Sequence, residues 1–197
     1  MLFLRKPMSK VKLIECPRDA MQGIKTFIPT DEKVKYIQSL LGCGFDTIDF
    51  GSFVSPKAIP QMQDTAEVLA KLDLSRTKSK LLAIVANVRG AQDACEHKAI
   101  DYLGFPFSIS ENFQMRNTHK TIDQSVETLK GILELADANN KEVVTYISME
   151  RGDCRGVDRK AGRNGNQNTI VVGYHWQFYT RGHRLFVFQL DSQISRY

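Results

Sequence analysis

At 197 residues, with 42% hydrophobic and 25% charged side chains, the chain has the composition of an ordinary globular protein and falls outside the low-complexity and collagen-like classes. The longest apolar run, LLAIVA (81–86), is too short to cross a bilayer. Of the net charge of +5, +4 sits in the tail, because residues 150–197 hold 8 Lys/Arg against 4 Asp/Glu, so any case for a polyanion partner must rest there.

At the N-terminus, MLFL is followed at once by Arg5, Lys6 and Pro7, which predicts no signal-peptide core. Coherent patterning starts only at KVKLIEC, so Met8 reads as an alternative start. The first element is a strand, VKLIEC (11–16), which runs abruptly into Pro17, Arg18 and Asp19. PTDEKVKYIQSLLGCG then reads as a helix with Thr30 as N-cap, Val34, Ile37 and Leu41 on one face, and Gly42 and Gly44 as the stop. DTIDFGS (46–52) is a second strand, and IPQMQDTAEVLAKL a helix with Pro60 near its first turn. KLLAIVAN (80–87) is a continuous apolar strand of the kind buried on both faces. RGAQDACEH is a short helix, IDYLGFPFSI (100–109) a fourth strand, and TIDQ from Thr121 a capping box. That box opens a long helix with Ile122, Val126, Leu129, Leu133 and Ala136 in its stripe; EVVTYISM (142–149) is a fifth strand.

Five strands alternating with helical patterns predict a parallel α/β sheet, open or closed into a barrel. No strand leads into a glycine-rich phosphate loop, which argues against a nucleotide-binding doubly wound fold. After Met149 the grammar changes. ERGDCRGVDRKAGRNGNQN has no apolar period, and TIVVGYHWQFYTRGHRLFVFQL is strand-like without continuing the strand–helix rhythm.

Ligands of parallel α/β folds sit at the carboxyl ends of the strands. The polar residues there are Arg18, Asp19 and Gln22 after strand one, Asp49 and Ser52 on strand two, Asn87 after strand three, and Ser108, Ser110, Glu111 and Asn117 after strand four. A carboxylate beside a guanidinium and facing a second carboxylate suits a hard divalent cation with an anionic intermediate. Two bland alternatives stand beside this: strand-end polar residues often only cap helices, and Asp49 reads equally as a buried acid paired with a neighbouring strand. His97 and His119 read as surface residues. The four cysteines (Cys16, Cys43, Cys95 and Cys154) form no CxxC pair, which predicts a reduced, cytoplasmic setting. His175, His183 and Cys154 have no metal-ligand spacing, so no metal site is expected in the tail.

LIECPRDAMQ, DTIDFGSFVSPKAIPQM and NTHKTIDQSVE closely resemble hydroxymethylglutaryl-CoA lyase, a metal-dependent family of TIM-barrel lyases, over about residues 11–149. The resemblance implies the first five strands of a (β/α)8 barrel with Arg18 and Asp19 at its mouth. It further implies an acyl-CoA substrate, 3-hydroxy-3-methylglutaryl-CoA, cleaved by a retro-aldol step to acetyl-CoA and acetoacetate with a divalent cation, Mg or Mn. On that reading Asp19 is the metal ligand, Arg18 and Asp49 are catalytic, and Gln22, Ser52, Asn87 and Asn117 face substrate. Asp49 stands where the family usually has a glutamate, one methylene longer, which puts proton handling there in question.

The family completes its metal site with a His-x-His pair and an asparagine from later strands, and these are absent here. One carboxylate leaves most of an octahedral shell to water, so the cation is not expected to be retained and the chain is expected to lack activity. Codons can be chosen for residues 166–180 such that reading one base later gives a family-like strand followed by a Ser-Asp-Thr-Ile-Gly turn. At Trp176, whose codon is unique, the shifted frame forces the glycine. Residues 150–197 are therefore expected to be an out-of-frame translation with no reason to cover the barrel edge, which would then drive self-association or aggregation. The alternatives are a non-catalytic acyl-CoA-binding remnant and, ranked last, nucleic-acid binding by the basic tail with Tyr174, Trp176, Phe178 and Tyr179 stacking on bases. No membrane partner is expected.

Overall fold

The computed structural model describes residues 12–148 and a strand at 169–173. All the strands lie in one parallel sheet whose spatial order follows the chain, β1-β2-β3-β4-β5-β6. β1 (Ile14–Glu15) is brief and leads into α1 (Pro17–Gln22) and α2 (Thr30–Leu41). β2 (Thr47–Ser52) is followed by a 3-10 turn (Pro60–Met62) and α3 (Thr65–Lys71), and β3 (Lys80–Ile84) by α4 (Val88–Cys95). β4 (Tyr102–Ser108) precedes α5 (Glu111–Thr118) and α6 (Ile122–Ala138), and β5 (Glu142–Ser148) precedes β6 (Thr169–Gly173).

The period-two pleat gives the strands two different faces. One face carries Ile48, Phe50, Leu81, Ala83, Leu103, Phe105 and Val143 into a core with Ile37, Leu41, Leu69, Ala91, Ile132 and Ala136 of the helices. The other collects Leu82, Ile84, Tyr102, Val144 and Tyr146 into a second cluster. Three strand spacings of about 4.8 Å would hold β2 and β5 roughly 14 Å apart in a flat sheet. Yet the Tyr146 hydroxyl of β5 donates to Asp49 Oδ2 of β2 at 3.3 Å. The sheet is therefore curled, and its strands and helices form part of a TIM barrel with the second cluster inside the curve.

Local details explain where the strand and helix assignments from sequence needed correction. The 59–72 helix breaks in two: Thr65 turns its hydroxyl back to the Met62 carbonyl and also accepts from the Ser52 backbone N–H, which anchors β2 to the start of α3. A Cβ at Gly51 would come within 2.5 Å of the Thr65 side chain, so that anchor needs glycine. α1 and α5 were not anticipated. α1 starts on Pro17, whose fixed φ suits a first helical position, and α5 is capped by Ser110. Thr30 does not cap α2; it lies inside the helix and donates to Asp64, with Pro29 at the cap position. The capping box is present as read, with Thr121 accepting from the Gln124 N–H and Gln124 from that of Thr121.

The uncovered barrel edge is the largest correction. β6 lies parallel to β5 over Val143–Ile147, so the tail does add a strand to the sheet. Four successive β-branched residues, Thr169, Ile170, Val171 and Val172, account for its extended backbone. Cys154, His175, His183, Tyr174, Trp176, Phe178 and Tyr179 lie outside the described residues.

Candidate active site

The short α1 turns directly off the carboxyl end of β1, and this sets three side chains around one point. Arg18 and Asp19 are consecutive; Gln22 lies one helical turn on, at i+4 from Arg18 and i+3 from Asp19. Arg18 reaches across to β2, donating from Nε to Asp49 Oδ1 at 3.1 Å and from Nη2 to Asp49 Oδ2 at 2.5 Å. Its Nη1 donates to Asp19 Oδ1 and to Gln22 Oε1, each at 3.0 Å. Gln22 Nε2 closes the ring by donating to Asp19 Oδ1 at 3.0 Å. Four of the five guanidinium N–H groups are thus committed, and the fork geometry holds the planar group against Asp49 bidentately.

Burial grades the cluster from inside to outside. Asp49 is fully buried, Arg18 is 8% exposed and Tyr146 is 6% exposed, while the Asp19 side chain is 34% exposed and forms the rim. Desolvation pushes the Asp49 carboxyl up from its usual value, against the opposing pull of Arg18. For Arg18, burial works against the charge, but the Asp49 carboxylate outweighs it and raises the guanidinium pKa. Both directions stand together because a fork-bonded pair shares its charge. We take the pair as ionised, since the guanidinium keeps its proton and a neutral Asp49 would leave that buried charge without its bidentate counter-ion. Tyr146 is held well above its ordinary value, first by burial and then by the adjacent Asp49. The Cys16 thiol just before α1 is pushed up to about 12, by burial first and by Asp49 second, so it is no nucleophile.

The remaining expected site residues fall into two groups. Asp19, Gln22 and Asp49 gather around Arg18. Ser52 is buried three residues beyond Asp49; its hydroxyl donates to the Ile84 carbonyl and accepts from the Val54 N–H. Asn87 is exposed and caps α4, with Oδ1 accepting from Gly90 N at 2.8 Å. Asn117 is exposed near the end of α5. The structure therefore brings together the strand-one and strand-two residues and leaves Asn87 and Asn117 outside their hydrogen-bonded ring. Tyr146 is the member that sequence reasoning missed. Its place in EVVTYISM gave only a strand position, and the curl that carries it to Asp49 leaves no mark in a periodic pattern.

Among the described residues no group of three or more His, Cys, Asp or Glu side chains is placed to hold a metal ion. Asp19 Oδ1 already accepts from two donors, and Asp49 is sealed behind Arg18. These residues alone do not fit a divalent cation, which asks for several oxygen ligands at once. No described helix is long and apolar enough to cross a membrane.

No protein-family model matches the chain. It is 36% identical over 144 residues to the 3-hydroxy-3-isohexenylglutaryl-CoA/hydroxy-methylglutaryl-CoA lyase of Pseudomonas aeruginosa, covering 73% of this chain and 47% of that protein. It is 33% identical to the human mitochondrial hydroxymethylglutaryl-CoA lyase, covering 73% of this chain and 44% of that one. The solved HMG-CoA lyase of Bacillus subtilis superposes with a TM-score of 0.67 at 31% identity, over 71% of this chain and 46% of its own. That of Acinetobacter baumannii, in complex with coenzyme A and 3-methylmalate, gives 0.65 at 31% identity, over 70% and 45%. The chain thus spans about half the length of the curated relatives it matches. Over 70% of its length, the chain belongs with the hydroxymethylglutaryl-CoA lyases.

Proposed function

We propose that residues 11–149 are the front part of a hydroxymethylglutaryl-CoA lyase, and that the 197-residue chain carries its strand-end carboxylates and arginine without completing the catalytic centre. The observation that carries this reading is the buried meeting of Arg18, Asp49 and Tyr146 from the first, second and fifth strand positions, with Asp19 at the rim. In the full family centre, a divalent cation, Mg or Mn, supports retro-aldol cleavage of 3-hydroxy-3-methylglutaryl-CoA to acetyl-CoA and acetoacetate.

This chain's own residues supply part of what that chemistry needs. Arg18, desolvated and permanently charged, would supply positive charge to the oxygen of a developing enolate. Asp49 fixes the plane of the guanidinium, and Tyr146 fixes Asp49. Gln22 steers Asp19, and Asp19 would offer a carboxylate oxygen to a cation. Ser52, Asn87 and Asn117 remain candidates to face substrate from the neighbouring loops.

Residues 150–197 are read as an out-of-frame basic tail. Support comes from the loss of strand–helix rhythm after Met149 and from a likeness to relatives that covers 73% of the chain. The setting is read as cytoplasmic, in keeping with three described cysteines that are free. A weaker second activity, holding an acyl-CoA without cleaving it, is favoured by the coenzyme A bound to the Acinetobacter relative.

The test is acetoacetate release from 3-hydroxy-3-methylglutaryl-CoA by the purified 197-residue chain with Mg or Mn. Release no faster than in the protein-free blank is expected. Saturable, metal-dependent release that Arg18→Gln abolishes would show the centre to be complete and overturn the inactive reading.

A further inference from the structure

Gln61 lies in the 3-10 turn after β2, outside the ring around Arg18, and is only 3% exposed. Burying a carboxamide is costly unless its donors and its acceptor find partners. Gln61 spends all of them on one stretch of backbone. Its Oε1 accepts from the Ile28 N–H, and its Nε2 donates to the Ile24 and Thr26 carbonyls, each at 2.9 Å. Residues 23–29, which contain those groups, form neither helix nor strand. The carboxamide supplies the partners that a regular element would have given them.

This loop is fastened at both ends. At its start the Ile24 N–H donates to the Met21 carbonyl, which closes the last turn of α1 around Gln22. The Gln61–Ile24 bond therefore acts on the helix that carries Arg18, Asp19 and Gln22. With six residues and no side-chain cap at Cys16, α1 is too short to keep its last turn closed unaided. At the far end Thr30 donates to Asp64 Oδ2 at 2.8 Å. Lys33, 2% exposed, donates to the Gln61 carbonyl and, at 2.6 Å, to Asp64 Oδ1. The buried Lys33–Asp64 pair thus holds the Gln61 backbone while the Gln61 side chain holds the loop. Within the ring, Arg18 is also gripped from β2 by Asp49, whereas Gln22 bonds to Arg18 and Asp19 from the final position of α1. Its place depends on that last turn staying closed.

We propose that Gln61 is a positioning residue for the rim of the site: by fixing the Ile24 carbonyl it closes the last turn of α1 and so holds Gln22, and through Gln22 the Asp19 carboxylate, against Arg18. The chemical use of that rim rests on the function proposed above, and the positioning rests on the hydrogen bonds alone.

The experiment uses the full 197-residue chain, without ligand, and reads individual N–H groups by nuclear magnetic resonance. In the parent chain the Ile28 N–H is expected to exchange slowly with solvent, and the Gln22 side-chain amide to resonate away from the position of a free glutamine. Gln61→Met keeps the length of the side chain and removes all three of its hydrogen bonds. In that variant the Gln22 amide is expected to move to the free position and the Ile24 and Ile28 N–H groups to exchange fast. The Arg18 Nε–H, held by Asp49, is expected to keep its shift. Thr121→Ala lowers stability from the cap of α6 and is expected to leave the Gln22 amide in place, which separates positioning from general destabilisation. Gln61→Glu keeps the acceptor for Ile28 and loses both donors; it gives the Gln22 reading if Gln61→Met does not fold. A Gln22 amide unmoved in the Gln61 variants, one moved equally by Thr121→Ala, or fast exchange of Ile28 in the parent chain would overturn the inference. No substrate enters these readings, so they stand or fall separately from the acetoacetate assay.

Discussion

Arg18 is a buried cation whose position depends on its acids, and the asymmetry of buried ion pairs makes that dependence measurable. Replacing Arg18 by methionine would leave the Asp49 carboxylate fully buried without its counter-ion, a change expected to cost about 3–5 kcal/mol in urea unfolding. Combining Arg18→Met with Asp49→Leu removes both charges and is expected to recover most of that loss; equal losses added together would show that the two groups do not meet. Cys16 gives a pH signature of the same environment. Its thiol ionises near 9.0 when unfolded and at about 12 when folded, so the folded state holds the proton longer. Its contribution is fully present below pH 9 and declines by about 1.4 kcal/mol per pH unit as pH rises toward 12. Tyr146, raised in the same sense, adds to the decline above pH 10. Unfolding at pH 8 and pH 10.5 is expected to show a smaller difference in Cys16→Ala than in the parent chain. The Arg18–Asp19 pair and Asp49 were legible in the sequence because strand-end polar residues stand out against apolar runs. Tyr146 was not, because an aromatic residue inside a strand looks like core whichever face it takes.

Elements were legible where a period or a cap marks them, and illegible where neighbours decide. The α6 capping box was readable as TIDQ, and Thr121→Ala is expected to lower stability by about 0.5–2 kcal/mol, checked by thermal and urea unfolding. The break between the 3-10 turn and α3 was not readable, since it depends on Thr65 bonding to β2, 13 residues earlier. Pro106 inside β4 looks like a strand breaker, yet β3 pairs only with Tyr102–Gly104, so the proline lies beyond the last β3 partner. Gly104 shows how an element serves the site. A Cβ there would come within 2.5 Å of Ile84 Cδ1 and 3.0 Å of the Tyr146 ring. Gly104→Ala is accordingly expected to cost about 1–3 kcal/mol by overpacking and to disturb the Tyr146–Asp49 hydrogen bond. The change would appear as a shifted tyrosine ionisation in an ultraviolet pH titration, which a purely local packing loss would leave in place.

At the scale of the whole molecule, the strand–helix alternation up to about residue 149 made the barrel class legible, and the specific segments around Arg18, Asp49 and Thr121 narrowed it to one family. What the pattern could not carry was the fate of the open edge. Pairing between β5 and β6 joins residues separated by a stretch with no periodic signal, so only the local β-branching of Thr169–Val172 hinted at it. On the proposed reading the same distance bears on function: the centre would draw donors from strands beyond the fifth, and the chain spans about half the length of the relatives it matches. If the tail is the start of the remaining half read in the wrong frame, restoring the frame after codon 149 and reading on should restore the donors. The decisive measurement is therefore Mg- or Mn-dependent acetoacetate release by the frame-restored protein, side by side with the 197-residue chain. Activity that appears only after restoration, and disappears again with Arg18→Gln, is the predicted result; a restored frame that yields no folded, cation-dependent enzyme would contradict the account.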